Sequence, residues 1–203
     1  MPSSIRPPFA ALWALDLAFA DVVATSSDPR LGAIRLAWWR ERLEELPGVR
    51  PAEPRLISVV NDLLPHGITG KELSRLEDCW APMLSPFPWR TEQVEGFRER
   101  GRLLFGIGAR LLGSADSADT AGELWSLTDG AEHCSDARSR DLLQQAASET
   151  PRPSKANARL RPLTVIAALS LAGKRGRGRA ALAHRLFGSF PSRVDRNVSE
   201  TDR

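Results

Sequence analysis

Apolar residues recur at spacings of three and four almost from the start of the chain. Between Phe9 and Val23, Leu12, Leu15, Phe19 and Val22 share one side of a helix. Asp28-Pro29 then offers a cap followed by proline at the first helical position. The helix it opens is expected to reach about Leu46, where Pro47-Gly48 ends it. Two apolar rows run along it: Leu31, Ile34 and Trp38 form one, and Leu36, Trp39 and Leu43 the other. Two rows predict burial on two sides, as for a central helix in a bundle.

The same period continues. Residues 54–64 suit a short helix stopped by Pro65. Thr69, with Glu72 three residues on, reads as a capping box for a helix that turns Leu73, Leu76 and Trp80 inward and stops near Pro82. SPFPWR (85–90) reads as a rigid loop. Thr91 is the expected cap of a long helix to Leu112, with Gly113 at its C′ position. Gly101, Gly106 and Gly108 lie inside that helix. Each costs about 1 kcal/mol relative to alanine, which close approach of another backbone would offset.

Residues 117–134 and 136–149 predict two more helices, and PRPSKANARLRP an irregular approach to the apolar run Leu163–Leu171. The GKRGRGR stretch that follows reads as a basic surface segment, and a last amphipathic helix covers about Ala180 to Leu186. No strand-period alternation with turn signals occurs, and no internal repeat. The expected fold class is all-α, a single helical domain over 9–190 between a flexible N-terminus (1–8) and a disordered C-terminal tail (191–203).

Composition narrows the class. The 203 residues are 42% hydrophobic and 26% charged, values of a globular chain rather than a disordered one. A domain of this size buries roughly 70% of its unfolded surface and needs no covalent staples. Cys79 and Cys134 are too few for a disulfide framework or, alone, for a zinc site. No run of about 18 apolar residues stands out, so no bilayer-spanning helix is expected. The N-terminus lacks a signal-peptide layout, and the expected location is cytoplasmic. Charge is uneven: residues 1–150 carry a net −6 and residues 151–203 a net +9. Such a basic end suits nucleic acid, anionic lipid or phosphate, or is a solvated terminus. Tyrosine is absent, which excludes tyrosine chemistry.

Most motifs for chemistry fail. GKRGRGR follows no strand and is no phosphate loop. His66, His133 and His184 are scattered, and His133 and Cys134, as helix neighbours, do not face the same way. No nucleophile-elbow signature occurs. Asp16 and Asp21 lie about 140° apart around the first helix and do not share a face. Asp129, Glu132 and Asp136 fall at i, i+3 and i+7, which forms one carboxylate stripe if the helix continues. Opposed stripes of this kind in a helical cavity hold magnesium ions and, through them, a diphosphate. The alternative is a solvated face with Asp136 as a cap.

The segment ALWALDLAFADVVATSSDPRLGAIRLAWWRERLEEL (11–46) resembles the opening of squalene/phytoene synthase family proteins. It is most similar to the short bacterial members and the related mitochondrial complex I assembly factors. The shared pattern falls here on Asp28, Pro29, Leu31, Gly32, Ile34, Arg35, Leu36, Trp38 and Trp39. GRLLFGIGARLLG (101–113), LWSLTDGAEHCSD (124–136) and RLRPL (159–163) extend the likeness more weakly. The resemblance implies an isoprenoid-synthase-like helical bundle. It also implies magnesium held by two aspartate-rich motifs and condensation of two prenyl diphosphates.

The chain departs from that pattern where ions would bind. Ala20-Asp21-Val22-Val23-Ala24 stands for the first motif, so only Asp21 remains of its three aspartates, and Asp16-Leu17 replaces the Cys-Arg before it. Asp129, Glu132 and Asp136 echo the second motif, whose companion tyrosine is missing. Arg35, Arg98 and Arg102 are the candidate anion-binding residues. They would hold an anion without organising its ionisation. The resemblance with these losses implies a catalytically degenerate scaffold without cofactor. It would act as a binding or assembly factor for an isoprenoid lipid, a respiratory-complex subunit or the inner-membrane face. The alternatives are a magnesium-dependent prenyl transferase and, less favoured, a basic-tailed nucleic-acid-binding helical module.

Overall fold

Proline sets several of the helix starts. The computed structural model describes residues 3–153 and 155–191; among them the ordered elements are all helical, so the protein is all-α. A 3-10 turn, Ser3–Ile5, leads into α1 (Arg6–Thr25), with Pro7 and Pro8 in the first turn. A proline there lacks only an N–H that has no intrahelical partner anyway. Within the stretch expected as a flexible lead, Ile5 is half-buried against the core and Pro8 is buried, while Ser3, Ser4, Arg6 and Pro7 are exposed. The tail expected over 191–203 lies, from residue 192 onward, outside the described residues.

Past α2 (Pro29–Glu44) the chain is broken more often than its period suggests. α3 (Pro54–Ser58) passes into a π turn at Val59–Leu63 and a 3-10 turn at Leu64–His66. α4 (Gly70–Ser74) and α5 (Leu76–Trp80) replace the single helix expected from Thr69 to Pro82. The Thr69 hydroxyl does accept from the Glu72 N–H at 3.1 Å. The Glu72 carboxylate pairs with Arg110 instead of turning back to complete the box.

Asp28 caps α2 as expected, its carboxylate accepting from the Arg30 N–H at 2.8 Å. Only one of the two apolar rows is buried, however. Leu36, Trp39 and Leu43 enter the core, while Leu31, Ile34 and Trp38 remain 58%, 66% and 43% exposed. The contacts of α2 with α1, α4 and α5 leave that second row uncovered. The helix therefore sits at the edge of the bundle rather than at its centre.

The long helix α6 (Thr91–Leu111) starts one residue differently from expectation, with Arg90 at the cap position. Gln93 closes that end, its Oε1 accepting from the Arg90 N–H at 2.8 Å while its Nε2 donates to the Pro82 carbonyl at 2.9 Å. The remaining helices are α7 (Asp119–His133), α8 (Ala137–Glu149), α9 (Arg161–Leu171) and α10 (Gly173–Phe187). α10 begins at Gly173 rather than at about Ala180, so the last helix also includes the GKRGRGR stretch. Arg159 and Arg161 of the RLRPL segment each close a helix end. Arg159 donates to the Gly113 carbonyl at 2.8 Å after α6, and Arg161 to the carbonyls of Arg185 and Leu186 at 3.2 and 2.9 Å. Cations at helix C-termini also complement the macrodipole.

The most extensive contact in the bundle is between α6 and α7. It depends on Gly101 and Gly122, where a Cβ on either would fall on the backbone carbonyl of the other. Gly108 makes room for Leu163, which would lie 2.9 Å from an added Cβ. Gly106 meets nothing within 4 Å. Close approach of another backbone, as expected, thus holds for Gly101; Gly108 instead makes room for side chains, and Gly106 for neither. α1 threads the core with Leu12, Leu15 and Phe19 fully buried. By length and composition alone Ser3–Thr25 could cross a membrane, an 18-residue window in it having mean hydropathy 1.4; half of that window is buried within the bundle, as befits a core helix.

Candidate functional site

Two apolar rows each contain one charged residue. On α1, Asp16 follows Leu12 and Leu15 and precedes Phe19; on α6, Arg100 lies between Phe97 and Leu104. Because its neighbours three and four residues away face the core, each charge is carried inward too. Asp16 is 1% and Arg100 3% exposed. They meet at the centre of the bundle. Arg100 Nη2 donates to Asp16 Oδ2 at 2.7 Å, and Nε to Asp16 Oδ1 at 3.0 Å, a two-pronged pairing.

α5 and α7 complete the cluster. Trp80 Nε1 donates to Asp16 Oδ1 at 2.9 Å. Arg100 Nη1 donates to Asp129 Oδ2 at 2.9 Å and to the Ser126 hydroxyl at 3.3 Å. The guanidinium carbon stands 4.8 Å from the ring centre of Trp80 and 4.5 Å from that of Trp125, so aromatic faces cover the charge. Trp125 in turn packs on Trp13 and Phe105, with ring centres 5.0 and 5.6 Å away. Burial alone would pull the Arg100 pKa down. The charges and hydrogen bonds of Asp16 and then Asp129 outweigh it and raise the pKa above the usual arginine value. The nearby Cys79 thiol is pushed up to about 12, chiefly by burial with help from surrounding carboxylates, so it is no nucleophile at neutral pH.

The sequence-derived candidates do not converge. Asp21 lies on the outer side of α1, its side chain 67% exposed and 3.8 Å from Arg55. The 129–136 stripe is broken because α7 ends at His133. Asp129 turns inward to Arg100, whereas Glu132 points outward to Arg177 at 3.4 Å. Asp136 begins the next helix, accepting from the Ser139 N–H at 2.8 Å and its hydroxyl at 2.7 Å. Those bonds hold its carboxyl below the usual range.

The three arginines expected to bind an anion are likewise engaged. Arg35 donates to the hydroxyls of Thr25 and Ser26 at 3.1 and 3.3 Å, tying α2 to the end of α1. Arg98 and Arg102 clamp one carboxylate, that of Glu123, at 3.0 and 2.8 Å. Residues 98 and 102 share a helix face, and residue 100 between them points elsewhere. Sequence reasoning missed Arg100 and undervalued Asp16. The available signal was one acid and one base of opposite sign, each interrupting an apolar row.

Magnesium does not fit this arrangement. It requires several hard oxygen ligands in near-octahedral array. Among the described residues no three His, Cys, Asp or Glu side chains come together to hold a metal ion. At the cluster itself a fixed guanidinium already occupies the space between the two carboxylates. Two surface hollows lie elsewhere. One is between the start of α7 and residues 153–160, lined by Ser117, Thr120 and Asn157; the other crosses α2 and α4, lined by Arg40, Glu44 and Lys71. No protein-family model, no curated protein and no solved structure matches the chain.

Proposed function

We propose that this protein is a catalytically degenerate relative of the squalene/phytoene synthases, keeping their kind of helical scaffold and acting as a binding or assembly factor. Its resemblance to complex I assembly factors points to a respiratory-complex subunit as the partner class. The observation that supports the loss of chemistry is the Asp16–Arg100–Asp129 cluster. Ionising a prenyl diphosphate needs divalent cations on converging carboxylates to neutralise the departing group. Here Arg100 takes both inward carboxylates, and Asp21 is turned to solvent beside Arg55. A cation entering the cluster would have to displace the guanidinium and leave it charged and unpaired in an apolar surround. That costs several kcal/mol.

The test is direct. The full chain is incubated with farnesyl or geranylgeranyl diphosphate and magnesium, and released diphosphate is measured. The expected release equals that of the enzyme-free control. Turnover above the control that disappears in Asp21→Ala or Asp129→Asn would establish the prenyl-transferase reading instead.

A further inference from the structure

The basic excess of the chain does not belong to its extreme C-terminus. Residues 192–203 hold three Arg and three Asp/Glu, whereas residues 151–191 hold nine Lys/Arg and no Asp/Glu. Part of that charge lies on α10, together with the largest exposed apolar side chains near this end. Leu182, Leu186 and Phe187 are 60%, 55% and 62% exposed.

The helix is held in one rotation. His184 is fully buried, its Nδ1–H donating to the Ser189 carbonyl at 3.0 Å and its Nε2 meeting the Thr164 hydroxyl at 2.9 Å. The outward face is therefore fixed. At about 100° per residue, Leu182 and Leu186 lie some 40° apart, with Arg179 and Arg185 about 60° to either side of Leu182. Both arginines are exposed, and among the described residues neither has an acidic partner. Arg177, further round, pairs with Glu132 at 3.4 Å.

Exposed leucines bordered on both flanks by free guanidinium groups match a helix that lies in a bilayer surface. The apolar side chains enter the acyl boundary, and the arginines reach lipid phosphates from their apolar stems. A nucleic-acid backbone would use the arginines but would gain nothing from Leu182, Leu186 and Phe187. Within 151–191 no carboxylate offsets the basic side chains, and the neighbouring Glu132 is paired with Arg177, away from Arg179 and Arg185. We propose that the Leu182–Leu186 face of α10, flanked by Arg179 and Arg185, docks the protein on anionic lipid, with exposed Phe187 at the helix end beside it. This goes beyond the reading of a non-catalytic scaffold and does not depend on it.

The experiment is flotation of the full chain with phosphatidylcholine vesicles and with mixed phosphatidylcholine–phosphatidylglycerol vesicles. The chain should float with the mixed vesicles only, and less at high salt. Arg179→Gln/Arg185→Gln should weaken binding about thirtyfold. Leu182→Gln/Leu186→Gln should weaken it about tenfold or more. All four positions are exposed, so circular dichroism of the variants should match the parent. As a second readout, Leu186→Cys carrying a polarity-sensitive dye should shift to the blue on mixed vesicles, the native Cys79 and Cys134 being buried. No flotation, equal flotation with both vesicle types, or full affinity retained by the leucine variant would overturn the proposal. So would tighter binding to a DNA or RNA duplex that the leucine changes leave intact.

Discussion

At the scale of single residues, Arg100 is the side chain on which most depends. A buried ion pair contributes little net stability against an apolar replacement, but removing one partner strands the other. Arg100→Leu leaves Asp16 enclosed with, among the described residues, only Trp80 Nε1–H as a donor at hydrogen-bond distance. The expected loss is about 3–5 kcal/mol. Asp16→Leu/Arg100→Leu should recover much of that loss, because no uncompensated charge remains on α1. Urea unfolding of the two single variants and the double variant measures this coupling. Additive effects would show that the charges are not the unit they appear from their 2.7 Å contact. The pair was half legible in the sequence. The position of each charge in an apolar row could be read there, but the partnership of residues 84 apart could not. Local periodicity gives the face of a residue and not what lies opposite it.

Helix boundaries at the scale of elements were legible where local chemistry sets them. Asp28, Thr69 and Asp136 each accept from a backbone N–H two or three residues on, as their positions suggested. Elements failed where tertiary packing decides. The second apolar row of α2 has the same composition as the first, and only the placement of neighbours leaves it exposed. GKRGRGR contains three glycines, which disfavour helix locally, yet it is continuous with a helix whose C-terminal half is secured by His184 and Arg161. Glycine gives the sharpest element-scale test. Gly101→Ala places a methyl on the carbonyl of Gly122 and should separate α6 from α7, at a net cost of about 1–3 kcal/mol. Gly106→Ala on the same helix meets nothing within 4 Å and should instead stabilise by up to about 1 kcal/mol. Thermal melts of the two variants should move in opposite directions. Equal shifts would mean that helix propensity, not the crossing, decides both.

The charge pattern of the whole molecule also sets how it responds to acid. Arg100 keeps its proton throughout, because its pKa is raised, and so contributes no titration of its own in the acid range. His184 is different. Burial, the largest influence, pulls its pKa below the ordinary 6.5, the Ser189 carbonyl accepting from Nδ1–H raises it, and the charge of Arg161 lowers it again. The unfolded chain therefore takes up a proton at this site more readily than the folded one. Stability that is complete above pH 6.5 must be lost as pH falls from there through the folded-state value. Protonation need not break the local hydrogen bonds. The Thr164 hydroxyl lies 3.0 Å from the Leu160 carbonyl and can turn its proton there while accepting from Nε2–H. What is lost is the favourable neutrality of a buried ring near Arg161. Asp136 adds a second loss in the same direction but lower, since its folded pKa lies below 3.8 and its contribution disappears as pH falls through that lower range. Urea midpoints should accordingly decline in two stages, and His184→Gln should flatten the first stage while leaving the second. A midpoint that stays level as pH drops from above 6.5 to well below it would show that the α9–α10 junction does not hold His184 neutral.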